Sequence, residues 1–132
     1  IYGPGRSIFD RLKAGRAKKI FKKDQFFNRI HVEDIGGAIS LALLKTELAG
    51  IFNLSDDLPA AGGDVIDEAT RIMKIPPLAK IDVWEADLTE MAKSFYLESK
   101  KVSNKKLIQT LNYSLKYPTY VSGLRSIFTI DS

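Results

Sequence analysis

Cysteine is absent from the 132-residue chain, and histidine occurs once, at His31. The first absence removes disulfides, thiolate nucleophiles and thiolate-bound zinc; the second leaves no set of imidazoles, so a metal site is not expected. A chain without cysteine fits a reducing compartment. No apolar run approaches the roughly eighteen residues of a membrane span. No basic-then-apolar leader opens the sequence, so a cytoplasmic protein with no membrane partner is expected. Serine, histidine and acidic residues do not follow one another as a nucleophile, base and acid would. The acidic pairs Asp56-Asp57 and Asp67-Glu68 are adjacent neighbours at a turn and a helix start, not spaced ligands. What remains, 45% hydrophobic and 27% charged, is an ordinary globular composition sufficient for one core.

Charge is unevenly distributed. Residues 1–31 hold nine Lys and Arg against Asp10 and Asp24, whereas the rest of the chain is acidic, within a net charge of +4. The basic segment 11–23, with Phe21, Phe26 and Phe27 in and after it, reads as a solvated face leading into core aromatics, or as a grip for an anion. The alternative is a non-enzymatic binding module that uses this segment on nucleic acid or a protein partner. The opening IYGPGR has no methionine and runs a hydrophobic pair into a Gly-Pro-Gly turn. That is entry in the middle of a domain, and a carboxy-terminal fragment or processed product is expected.

Ser7 caps a predicted short helix carrying Ile8, Phe9 and Leu12, ending near Gly15. Lys19–Lys23 reads as a short strand and residues 26–32 as a better one, joined by a hairpin turn at Lys23-Asp24-Gln25. Glu33 and Asp34 then open a helix whose apolar stripe is Ile35, Ala38, Ile39, Ala42 and Leu43, with Gly36-Gly37 packed against a sheet. Residues 50–55 form a predicted strand, Asp64 caps a helix over 65–74 that Pro76-Pro77 stops, and residues 80–85 form another strand. Further helices are expected over 88–98, from a cap at Ser103 to Leu111, and over 121–128. The pattern is α/β, or α+β in isolation, with too few strands for a complete doubly wound sheet.

Three constellations bear on chemistry. The turn at Gly3 and Gly5 is not a dinucleotide phosphate loop, because Ile8 stands where a third glycine is needed. Arg29 and His31 share one face of a strand with Phe27, where Arg offers a donor fork to an anion and His a proton donor or acceptor. Tyr96 precedes Lys100 by four residues, one helical turn, where an ammonium favours the ionised phenol. Five tyrosines and 14 lysines in 132 positions supply such a spacing in about one chain of two by chance, so the pair is weak evidence for catalysis.

Read in order, IYGPGR (1–6), RIHVEDIGGAI (29–39), GIFNLSDD (50–57) and LNYSLKYPTYVSGL (111–124) resemble the carboxy-terminal portion of the extended short-chain dehydrogenase/reductase superfamily, in its NAD-dependent epimerase/dehydratase branch. The resemblance covers nearly all of residues 1–132. It implies the substrate-binding part of an NAD(P)-binding, Rossmann-type fold, without the nucleotide-binding sheet. Tyr2, Gly3 and Pro4 would then lie beside the nicotinamide of NAD or NADP, and Asp34 would be a structural, helix-opening acid. Asn112 and Tyr113 replace Gly and Trp of the closing motif, and Leu115 replaces Pro; asparagine tolerates the left-handed conformation and tyrosine the flat packing. Phe27 stands where nucleotide-sugar enzymes of the family carry a phosphate-gripping arginine. The family's cofactor glycines and catalytic Ser/Thr, Tyr and Lys all precede the Tyr-Gly-Pro segment, so no catalytic residue is assigned and no cofactor is expected on this chain alone. The expected substrate-binding residues are Arg6, Arg16, Arg29 and His31 toward a sugar-like or anionic small molecule, with Phe95, Tyr96 and Lys100 on the substrate-side wall. The missing amino-terminal half, and a second copy of the chain, are the expected partners.

Overall fold

The structure of the chain, a computed structural model, describes residues 1–130. Its first helix follows from a local exchange: the Ser7 hydroxyl accepts from the Phe9 N–H, and the Asp10 carboxylate accepts from the Ser7 N–H at 2.7 Å. This capping box starts α1, Ile8–Lys13, as the sequence predicts. The second helix, α2 (Val32–Leu43), is capped by His31 itself, whose Nδ1 accepts from the Glu33 N–H at 3.2 Å. α3 spans Gly62–Met73 and begins earlier than expected: Asp64 lies in its first turn, while the cap position is Ala61, with no side-chain acceptor. Lys74, in the left-handed conformation, ends it ahead of the two prolines. Three shorter or later helices follow: α4 (Glu90–Ser94), α5 (Lys105–Leu111) and α6 (Tyr120–Ile130).

Among the described residues the sheet has two strands. β1 (Lys19–Phe21) pairs in parallel with β2 (Lys80–Asp82), placing Ile20 opposite Ile81. The predicted hairpin is therefore not formed. Asp24 does turn the chain, with φ of 56°, but the segment after it leaves β1. Residues 26–31 run extended and meet neighbours one residue at a time, Phe27 with Ala60 and His31 with Tyr2, and the Arg29 carbonyl accepts from the Asp56 N–H. Side chains replace a ladder on the remaining edge: the Asn28 amide donates to the Lys100 carbonyl and accepts from the Val102 N–H. Residues 50–55 likewise form no strand.

The expected helix over 88–98 shrinks to α4, which buries none of its residues. The carbonyls of Phe95, Tyr96 and Glu98 are engaged by the Gln25 amide and the Lys22 ammonium, which hold the chain out of helical register. Tyr96 and Lys100 thus do not share a helical face. At α5 the cap is Asn104 rather than Ser103, and its amide bonds the Ser55 carbonyl and the Asp57 carboxylate.

Two small cores result. Phe9, Val65, Ala69, Leu124 and Ile127 join α1, α3 and α6; Ala38, Leu107 and Leu111 join α2 to α5. On α2 the stripe is rotated from the expected one: Asp34 and Ala38 are buried and Leu41 and Ala42 pack inward, while Ile39 and Leu43 are exposed. Asn112 takes the left-handed conformation at the end of α5, as expected, and carries Tyr113 against Gly37. The glycine pair therefore admits a tyrosine ring, not a sheet. A Cβ on Gly37 would collide with the Tyr113 hydroxyl, whereas one on Gly36 meets nothing within 4 Å. Gly37→Ala is expected to destabilise the chain by about 2 kcal/mol, and Gly36→Ala to stabilise it by about 0.5 kcal/mol. Urea denaturation of the two variants reads both signs.

Candidate functional site

A cleft of about 700 Å³ lies between the opening turn, α1, the start of α3, the α4 segment and α6. Each wall is set by an element already described. The turn at Gly3–Arg6 closes on itself, with reciprocal hydrogen bonds between the Gly3 and Arg6 backbones, and delivers Tyr2 and Arg6 to one rim. Those engaged N–H groups leave the turn unsuited to cradle a pyrophosphate. α1 contributes Ile8 and Arg11, the stretch after β1 contributes Phe27 and Arg29, and α6 contributes Tyr120 and Leu124. Across from them the α4 segment presents Leu88, Ala92, Phe95 and Tyr96, with the Tyr96 ring edge-on to Phe27 at 5.5 Å.

Arg29 is the central polar group. One guanidinium nitrogen, Nη1, donates to the carbonyls of Phe27 and Ala60, both at 3.0 Å, which ties the two extended segments together and fixes the head group. Among the described residues no carboxylate lies within 4 Å of it. Burial pulls its pKa below the ordinary arginine value, and the field of Asp56 opposes that shift. Asp56 is itself 2% exposed; one oxygen accepts from the Leu58 N–H at 3.0 Å and the other has no protein partner among the described residues. Burial raises its pKa to about 6, against the lowering effects of the Leu58 N–H and Arg29.

His31 is placed differently from Arg29. Because α2 begins at Val32, His31 leaves the strand alternation and turns its ring inward, edge-on to Tyr2 at 5.1 Å and tilted against Tyr117 at 4.1 Å. It is 1% exposed and does not line the cleft. Burial lowers its pKa, and with Nδ1 accepting from Glu33 the proton sits on Nε2. Of the other expected residues, Tyr2, Arg6, Phe95 and Tyr96 come together around the cleft with Arg29, whereas Arg16 and Lys100 lie outside it. Lys100 pairs with Glu98 at the surface. Gly3 and Pro4 do not line the cleft either: Gly3 is buried against Val32 and Pro4 is exposed. Sequence reasoning passed over Arg11, Lys18 and Tyr120 individually; the first two were visible only as part of the basic segment.

No family model matches the chain, and no curated protein is similar to it. Solved structures are. A functionally unknown conserved protein from Silicibacter pomeroyi DSS superposes with a TM-score of 0.93 at 39% identity, over 98% of this chain and 46% of that one. A human epimerase family protein determined with NADPH gives 0.74 at 20% identity, over 91% of this chain and 41% of that one. The dTDP-glucose 4,6-dehydratase of Bacillus anthracis, in complex with NAD, gives 0.68 at 16%, over 97% and 40%. The chain spans under half the length of each. Its fold is therefore that of the carboxy-terminal part of NAD(P)-binding extended short-chain dehydrogenase/reductase chains.

The buried acid gives a pH signature. With a folded pKa near 6 against about 3.9 unfolded, Asp56 favours the folded chain below pH 4, and that contribution disappears as pH rises through 6. Asp56→Asn is accordingly expected to raise stability at pH 7.5 by up to about 2 kcal/mol and to change it little at pH 4. Thermal denaturation at the two pH values measures this; equal effects at both would contradict it.

Proposed function

We propose that these residues form the substrate-binding part of an NAD(P)-dependent epimerase/dehydratase-like oxidoreductase or isomerase, inactive without the nucleotide-binding half. The observation that carries this reading is the convergence of Tyr2, Arg6, Arg29, Phe95 and Tyr96 on one cleft, in a chain whose fold is that of the corresponding part of such enzymes. NAD or NADP would supply hydride acceptance at a substrate carbon. Tyr2, followed in the chain by Gly3 and Pro4, would border the nicotinamide, and Arg29 and Arg6 would orient the substrate. A cleft beside Tyr2 would leave substrate and nicotinamide facing one another, as hydride transfer requires.

The basic segment favours a small ligand over a nucleic acid. Lys19 is paired with Asp67 and Lys22 is bonded to the Tyr96 carbonyl, while Arg11 and Lys18 turn to the cleft, so no continuous cationic stripe is presented. Among the described residues no helix is long and apolar enough to cross a membrane. Exposed Trp84, Met91 and Leu97 supply apolar surface for a further protein contact, in a second copy or the other half.

Nicotinamide fluorescence tests this reading. NADPH titrated with the 132-residue chain is expected to show no change in emission, and NADPH titrated with the full gene product to show saturable enhancement. Enhancement by the chain alone, or none by the full product, would contradict it.

A further inference from the structure

We propose that the cleft accepts a small organic anion with an apolar body, and that it disfavours a polyhydroxylated sugar nucleotide. This rests on the cleft being the substrate site and concerns what chemistry it recognises. A buried sugar needs acceptors for its O–H groups, and each hydroxyl taken from water without one weakens binding. Among the residues that line the cleft, Asp10 alone carries a carboxylate or amide side chain. It is engaged in the α1 capping box, accepting from both the backbone and the hydroxyl of Ser7. The carbonyls of Phe27 and Ala60, beside the cleft floor, already accept from Arg29 and from each other's N–H. The other side chains that close the cavity are largely aliphatic and aromatic, Ile8, Ile20, Val65, Leu124, Phe27 and Phe95, with the hydroxyls of Tyr96 and Tyr120 as the side-chain acceptors left to a sugar. Such a surface rewards an apolar body and offers a sugar ring little.

The charge on the same walls is predominantly positive, four cationic side chains against the one carboxylate of Asp10. Arg6, Arg11, Lys18 and Arg29 line the cleft, and none of them forms an ion pair within 4 Å among the described residues. Lys18 donates to the Asp87 carbonyl and Arg29 to two carbonyls; neutral partners fix these groups without cancelling their charge. A cation held in a partly dry, apolar wall attracts an anion more strongly than one in water, and a guanidinium matches a carboxylate or phosphate edge with two parallel hydrogen bonds. The ligand that satisfies both features has its anionic group on Arg29 and its carbon skeleton against Phe27 and Leu124.

Isothermal titration calorimetry on the full chain with 4-phenylbutyrate, 4-phenylbutyramide and UDP-glucose separates the possibilities. The acid is expected to bind about tenfold more tightly than the neutral amide or the sugar nucleotide. Arg29→Gln is expected to bring the acid down to the amide's affinity. Arg11→Gln, an exposed position on α1 that leaves the fold intact, is expected to weaken the acid by about threefold and the amide not at all. Tighter binding of UDP-glucose, lost in Arg29→Gln, would overturn the ligand class while leaving the cleft as the substrate site. Absence of binding by all three, or binding indifferent to both substitutions, would overturn the ligand class and the site together.

Discussion

The carboxylate of Asp34 organises the molecule. It is 1% exposed at the first turn of α2 and accepts hydrogen bonds from the Tyr113 hydroxyl at 2.9 Å, the Lys116 N–H at 2.6 Å and the Tyr117 N–H at 3.0 Å. A buried carboxylate is tolerated only when its lone pairs are filled, and here three donors and the positive end of a helix fill them. The bonds fasten the segment between α5 and α6 onto α2. From that joint the order propagates: Tyr117 lies against His31, His31 caps α2 and meets Tyr2, and Tyr2 reaches the rim of the cleft with its hydroxyl against Gly123 of α6. Glu33, bonded to the Lys116 ammonium, repeats the fastening at the surface. The cleft inherits its shape from a structural acid that does not line it.

Electrostatics at the cleft follow from a second, weaker compensation. Arg29 is anchored by carbonyls rather than by an acid, and Asp56, whose charge is felt at a distance, is held toward its neutral form by burial. Neither group cancels the other. The cavity therefore carries the charge of Arg29, Arg11, Lys18 and Arg6 against the single carboxylate of Asp10, on largely apolar walls. Ion pairs elsewhere in the chain, such as Lys19 with Asp67, tie elements together away from this region.

Local chemistry was legible where it is self-contained. The Ser7 cap, the acids opening α2, the stop at Pro76-Pro77 and the left-handed Asn112 depend on residues a few positions apart, and the structure reproduces each. Features that need a distant partner were misread. Residues 26–31 alternate as a strand should, but their neighbours meet them singly, and residues 50–55 find no ladder. The helix expected over 88–98 had suitable residues and no core to pack against, so it is curtailed where Gln25 and Lys22 take its carbonyls. The Arg29 and His31 pair illustrates the same limit: alternation places them together, yet the start of α2 sends one to the cleft and encloses the other. Four ordered motifs pointed to the fold, because their order records the whole topology rather than one contact.

The proposed substrate position is the cleft above Arg29 and beside Tyr2. A crystal structure of the full gene product with NADP and 4-phenylbutyrate tests this most directly. The ligand is expected inside the cleft, its carboxylate within about 3.2 Å of the Arg29 guanidinium and its other end toward Phe27, with the nicotinamide beyond Tyr2. A ligand bound elsewhere with the cleft empty, or a nicotinamide remote from Tyr2, would contradict it.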